Sequence, residues 1–84
     1  MPTPLSEIQL EPSGLPGVEL VPARYSQEIA KAFQAAYGRR TDAALAYASA
    51  VGGSPFTAHR NLCRWITGKQ RMKPQTYDLL WTLI

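Results

Sequence analysis

The chain has 84 residues, a single cysteine, a single histidine and a net charge of +3. A chain of this length buries only about 60 % of its unfolded surface, which suits one small domain with one modest core. One cysteine excludes an internal disulfide framework and favours a reducing, cytoplasmic setting, and one cysteine with one histidine falls short of the roughly four ligands of structural zinc. No segment approaches the roughly 20 apolar residues of a membrane span, and we expect no metal and no cofactor.

The charges are unevenly distributed along the chain. Residues 1–22 hold three glutamates and no Lys or Arg, whereas residues 24–84 hold nine basic residues against three acidic ones. A field of one sign attracts polyanions, nucleic acid first among them. The alternative interpretation is a solvated basic face that only aids solubility.

Residues 1–22 form a proline-rich, acidic arm that holds five of the seven prolines. Proline removes backbone donors and fixes φ, so this stretch is not predicted to be helical. Polar and apolar residues partly alternate in residues 7–10 and 18–21, around the turn-rich EPSGLPG. This pattern predicts two short strands in a hairpin, with an extended arm or a disordered tail as alternatives. The arm is also a candidate dimerisation element, by strand pairing or by exchange between subunits.

Residues 23–84 are predicted to be helical. Apolar residues recur at helical spacing from Ile29, with Ser26 as the expected N-cap and Gly38 as the terminator. A second helix is expected to open at Thr41 and to end at residues 52–53. Its expected buried stripe consists of Ala44, Leu45, Ala48 and Val51.

A third helix is expected to start near Ser54–Pro55 or at Thr57 and to run to Thr67, with Phe56 packed over its entrance. At 100° per residue, four side chains fall on one side: Ala58, Leu62, Trp65 and Ile66. Arg60 and Arg64 fall on the opposite side, and no acidic residue occurs between Asp42 and Asp78.

A fourth helix is expected to open at Pro74 and is apolar on nearly all sides, which favours burial on more than one face and a contact between subunits. The predicted dimer interface consists of Leu80, Trp81, Leu83 and Ile84 of this helix with Ile8 and Leu10 of the arm.

The basic third helix after a glycine-containing turn is typical of a helix-turn-helix, whose second helix enters the major groove. There, the arginine fork matches guanine O6 and N7. The predicted base contacts are Thr57, His59, Arg60, Asn61 and Arg64, and the predicted phosphate contacts are Arg39, Arg40, Thr41, Lys69, Arg71 and Lys73.

The stretch RWITGKQRMKPQTYDLLWTL resembles the segment that follows the recognition helix in lambda-repressor-like (XRE-type) helix-turn-helix domains. An Arg-Trp pair, a glycine, a basic stretch, a proline and a leucine-rich helix recur there in that order. The matching residues are Arg64, Trp65, Gly68, Lys69, Arg71, Pro74, Leu79 and Leu80. The resemblance covers residues 26–84 and implies an all-α domain, a small four- to five-helix bundle. Such domains bind operator DNA as homodimers to control transcription in phages, plasmids and bacteria.

No catalytic constellation is visible, because the six carboxylates are dispersed and no GxxxxGK[ST] loop occurs. We therefore expect no enzyme and no small-molecule substrate. The prediction is a repressor that binds double-stranded DNA through residues 55–67 as a homodimer. The alternative is a small protein-interaction module, an inhibitor or adaptor, whose basic face binds an acidic protein partner.

Overall fold

In the computed structural model, which describes residues 2–84, four α-helices surround one apolar core and the N-terminal arm lies against them. The helices are α1 (Ala23–Tyr37), α2 (Arg40–Val51), α3 (Pro55–Ile66) and α4 (Pro74–Leu83). The predicted all-α class is confirmed, with four α-helices and no fifth among residues 2–84. Within the same residues, no helix combines the length and the apolar character needed to cross a membrane.

The helix ends match the sequence pattern better than the helix starts do. Gly38 and Gly52 end α1 and α2 at φ values of 82° and 73°, which L-residues with a Cβ rarely adopt. Two of the starts differ from prediction, since α1 begins at Ala23 and α2 at Arg40, whereas α4 begins at the predicted Pro74. The carbonyl of Pro22 accepts the N–H groups of Tyr25 and Ser26, so the helix begins three residues before the expected cap.

Ser26 is therefore a buried side chain inside α1, and its predicted role as an N-cap is wrong. Its hydroxyl is shared between the carbonyls of Val21 (3.3 Å) and Pro22 (3.2 Å) and accepts the N–H of Met72 (3.1 Å). The N–H of Val21 donates in turn to the carbonyl of Met72 (2.9 Å). This buried network joins the end of the arm, the first turn of α1 and the loop before α4.

The core brings large side chains from three helices against small ones from α2. The buried residues of α2 are Ala43, Ala44 and Ala48, and their small side chains let the neighbouring helices approach closely. The predicted burial of Leu45 and Val51 is wrong, because they are 47 % and 50 % exposed. Leu45 lies about 100° around the helix from Ala44, and Val51 lies in the last turn, beyond the last buried alanine.

The arm forms the short hairpin that the alternating pattern predicts. A 3₁₀ turn (Leu5–Glu7) precedes strands β1 (Glu11–Pro12) and β2 (Glu19–Leu20), which pair antiparallel with Glu11 opposite Leu20. β2 lies within the predicted residues 18–21, but β1 lies outside the predicted residues 7–10, so that strand prediction is wrong: the 3₁₀ turn extends to Glu7 and Ile8 is buried in the core. A two-stranded hairpin is marginal in water, so this one depends on the helices beneath it, to which the arm contributes the buried Ile8 and Val21.

Thr3 joins the start of the arm to two helices. Its N–H donates to Glu28 Oε1 of α1 at 2.8 Å, and its carbonyl accepts the hydroxyl of Tyr77 of α4. Both ends of the described arm, at Thr3 and at Val21, are thus hydrogen-bonded to the rest of the same chain.

Two residues of the predicted dimer interface belong to the core instead. Leu80 is fully buried and Ile8 is 8 % exposed, which corrects their assignment, because a side chain packed inside one subunit cannot contact another. Three further residues are half-buried against the same core, namely Leu10, Trp81 and Leu83. Ile84 is 49 % exposed.

The Ser26 network generates a prediction about stability. Ser26→Ala leaves the buried N–H of Met72 without an acceptor, which costs about 1–3 kcal/mol. Urea unfolding monitored by circular dichroism should show this loss, while Ser49→Ala on the exposed side of α2 should change stability by no more than about 0.5 kcal/mol. Equal stability of the two variants would contradict the network.

Tyr77 generates a prediction about pH. Burial, together with the negative charge of Glu28, raises the pKa of Tyr77 from 10.0 to about 12. The folded chain therefore keeps a proton that the unfolded chain loses, so stability falls as the pH rises from about 10 to about 12. Urea unfolding at about pH 9 and about pH 11 should show a smaller alkaline loss for Tyr77→Phe than for the unaltered protein. The same alkaline loss in both proteins would contradict the assignment.

Candidate nucleic-acid interface

The start of α3 is fixed by its cap. Ser54 is the N-cap and its hydroxyl accepts the N–H of Phe56 at 3.2 Å, while Pro55 occupies the first helical position. Of the two predicted starts, the structure has the one at Pro55. Residues 52–54 are then the whole connection between α2 and α3, and three residues are within the usual length of a helix-turn-helix turn.

One side of α3 is buried against α1 and α2. Leu62 is fully buried and Trp65 is 3 % exposed. The Trp65 ring meets Tyr47 of α2 nearly at a right angle, with 5.6 Å between ring centroids. At the end of α3, Gln27 of α1 donates its side-chain N–H to the carbonyl of Ile66 at 3.2 Å. These contacts determine which side chains of α3 point away from the protein.

The opposite side of α3 is exposed and cationic. We define the outer face of α3 as Phe56, Thr57, Arg60 and Arg64, all of which are exposed. Among residues 2–84 a single ion pair is formed, between Arg71 and Glu11. Neither guanidinium of the outer face is therefore neutralised by a carboxylate within the described part of the chain.

Cys63 lies on one flank of this face with His59 beside it. The Cys63 thiol is 3.7 Å from His59 Nδ1. The Arg40 guanidinium donates to the Cys63 sulfur at 3.2 Å and to Gln34 Oε1 at 3.1 Å. His59 is exposed, as a base contact requires. Arg40 is half-buried and turned toward α3, which corrects its assignment as a phosphate contact. Among residues 2–84, no three His, Cys, Asp or Glu side chains come together in a way that would hold a metal ion.

Asn61 lies on the other flank and is half-buried. It lines a small cavity with Tyr47, Trp65 and Arg71. The five predicted base contacts are thus divided by the structure. Thr57, Arg60 and Arg64 share the outer face, whereas His59 and Asn61 border it on opposite sides.

Four of the predicted phosphate contacts surround α3 with exposed side chains. They are Arg39 and Thr41 around the start of α2, Lys69 after α3 and Lys73 before α4. Lys69 is positioned by its own backbone, whose N–H donates to the carbonyl of Arg64 at 2.9 Å.

Arg71 belongs to the arm and not to this set. Its guanidinium lies 3.7 Å from Glu11 Oε1 and donates to the carbonyl of Pro12 at 3.3 Å. Its donors are directed to the hairpin, so the predicted phosphate contact would require this partly exposed ion pair to open. No pattern in the sequence indicates this pairing, since the partners are 60 residues apart.

Phe56 does not pack over the entrance of α3, and that prediction is wrong. Its side chain is 81 % exposed. With the helix starting at Pro55, Phe56 lies about 40° from Arg60 in projection, and this places it on the outer face. The helical angle would have indicated this from the sequence, once the start of α3 was known.

Comparison with known proteins yields no relative: no family model matches the chain, and no match is found among curated proteins or among solved structures. The resemblance to XRE-type domains stays a prediction from the residues.

The two sides of α3 generate a prediction about stability. Leu62→Ala should cost about 2–5 kcal/mol, because it leaves a cavity in the core. Arg60→Ala and Arg64→Ala should each change stability by no more than about 0.5 kcal/mol, since both side chains are exposed. Urea unfolding measures all three, and a large loss in either arginine variant would mean that α3 is rotated from the orientation described.

Proposed function

We propose that this protein is a transcriptional repressor that binds double-stranded DNA sequence-specifically, with α3 of each subunit of a homodimer in the major groove. The observation that carries the proposal is the outer face of α3. Two guanidiniums one helical turn apart, free of carboxylate partners within residues 2–84, lie on a helix that follows a three-residue turn. No catalytic step is part of this proposal.

The dimensions of α3 fit the groove. The major groove of B-DNA is about 12 Å wide and admits one α-helix, and the 12 residues of α3 extend about 18 Å. Arg60 and Arg64 are about 6 Å apart along the axis, which is close to two base-pair steps. Each guanidinium offers the paired donors that match guanine O6 and N7.

The surroundings of α3 supply the contacts that position such a helix. Arg39, Lys69 and Lys73 are exposed cations, and contacts from such groups to phosphates add affinity without reading sequence. The start of α2 adds Thr41 and the positive end of a helix dipole, which favours a phosphate. In this proposal α2 crosses the phosphate backbone while α3 reads the bases.

The homodimer is supported by the end of α4 and by size. Trp81 and Leu83 are half-exposed and Ile84 is exposed at that end. With the half-buried Leu10 of the arm, they remain from the predicted interface as apolar groups that a second copy would cover. One molecule measures 33 × 26 × 21 Å. Two copies side by side would present their α3 helices to successive major grooves, about 34 Å apart.

The proposal predicts that Arg60→Ala combined with Arg64→Ala weakens binding to the preferred DNA site by at least about 1,000-fold, because the homodimer loses four bidentate contacts and each is worth about 1–3 kcal/mol. Mobility shifts on the DNA upstream of the protein's own reading frame, and on sites selected from a random duplex library, measure the affinity. The matched control is Arg24→Ala combined with Lys31→Ala, which removes the same charge from exposed positions of α1. It should weaken binding about threefold at most.

The control makes the outcomes distinct. An equal loss of DNA affinity in both double variants would mean that binding depends on net charge alone. It would contradict the role proposed for α3. Unaltered protein with no affinity for duplex DNA even at low salt would contradict the proposal and favour the protein-interaction module.

A further inference from the structure

Phe56 is the most exposed large apolar side chain among residues 2–84, at 81 %. Burial of a phenylalanine side chain stabilises a fold, and at this position the fold gains almost none of that stabilisation. The backbone of Phe56 is nevertheless held firmly, since its N–H is bonded to the hydroxyl of Ser54 in the first turn of α3. The ring is thus presented to solvent from a rigid position.

The ring shares its surroundings with the arginines of the outer face. Phe56 precedes Arg60 by four residues, so the two side chains are neighbours on the helix surface. The first turns of the second helix in a helix-turn-helix are the part that contacts base edges. A helix inserted as proposed above would therefore bring the ring into the groove together with the Arg60 guanidinium.

The major groove offers such a ring one apolar partner, the C5-methyl group of thymine. We propose that Phe56 is a specificity-determining residue that contacts this methyl group about two base-pair steps from the guanine bound by Arg60. The inference rests on the proposed function and deepens it, because it states what the preferred DNA must contain. Each half-site has a guanine for Arg60 and, close to it, a pyrimidine that carries a 5-methyl group.

A protein partner is less well matched to this position. An apolar protein surface covering Phe56 would also cover the neighbouring Arg60, and burying an unpaired guanidinium is costly. DNA satisfies both groups at once, with acceptors for the cation and a methyl group for the ring.

The test uses the full chain and changes a single methyl group of the DNA. Sites are first selected from a random duplex library, and each thymine of the selected site is then replaced by deoxyuridine, which lacks only the C5-methyl. One replacement in each half-site removes two methyl groups and should weaken binding about 15-fold, since burial of each such group is worth about 0.8 kcal/mol, or about fourfold. Phe56→Ala, which removes the ring from both subunits, should bind the thymine site about 15-fold more weakly and should not distinguish thymine from deoxyuridine at that position.

Two measurements keep the outcomes apart. Phe56→Ala removes an exposed ring and should leave the midpoint of urea unfolding unchanged. Leu45→Ala, which removes another exposed apolar side chain but from α2, should keep the full penalty for deoxyuridine. Equal penalties in the unaltered protein and in Phe56→Ala would overturn the inference, while Arg60-dependent binding would leave the proposed function standing.

Two further results would also overturn it. Sedimentation that shows Phe56→Ala to be less associated, with unchanged sequence preference, would assign the ring to a contact between two copies of this chain. A library from which the unaltered protein selects no sequence would remove the inference and the proposed function together.

Discussion

Burial of Leu62 and Trp65 is the contact on which the arrangement of the surface depends. A helix turns as a rigid body, so burying these two side chains against α1 and α2 leaves α3 one orientation. Arg60 and Arg64 point outward because of that orientation, and no contact of their own is needed to hold them there. The alanines of α2 contribute by letting α3 lie close, and the perpendicular contact between Tyr47 and Trp65 opposes rotation of α3. The candidate interface is in this sense a product of the core.

The contacts of the arm engage carboxylates away from the outer face of α3, which leaves the positive charge of that face without acidic partners among residues 2–84. Glu11 pairs with Arg71, and Glu28 accepts the N–H of Thr3. Two of the six carboxylates are thus engaged between the arm and the helices, and two more, Glu7 and Glu19, lie in the arm itself. None of these pairs with the outer face of α3, where positive charges stay close together. Repulsion between these like charges disfavours the compact state, and binding of a polyanionic partner would reduce that repulsion.

Periodicity and terminators could be read from the sequence, whereas contacts between distant segments could not. The buried side of α3, the ends of α1 and α2 and the proline start of α4 follow from local patterns of apolar residues, glycine and proline. Ser26 shows the limit, because the residue type that favours an N-cap also serves in a buried network with Met72, 46 residues away. Leu45 and Val51 show another, since the stripe predicted for α2 combined them with Ala44 and Ala48, and only the neighbouring helices determine that Ala43 is buried in place of Leu45 and that burial ends at Ala48. Arg71 shows a third, because a basic residue in a basic loop gives no sign that a glutamate of the arm will reach it.

Exposure of an apolar side chain does not by itself indicate function, since single exposed hydrophobic residues are normal on protein surfaces. Leu15 and Val18 are exposed in the hairpin, and Leu45 and Val51 are exposed on α2. What distinguishes Phe56 is the coincidence of three features that have separate causes. Its backbone is fixed by the Ser54 cap, its direction is fixed by the burial of Leu62 and Trp65, and its neighbour on the helix surface is an arginine without a carboxylate partner within residues 2–84. Because its ring packs against so little of the protein, Phe56 contributes to the stability of the fold almost no more than alanine would. We therefore look for the role of the ring in a contact with a molecule that binds the outer face of α3.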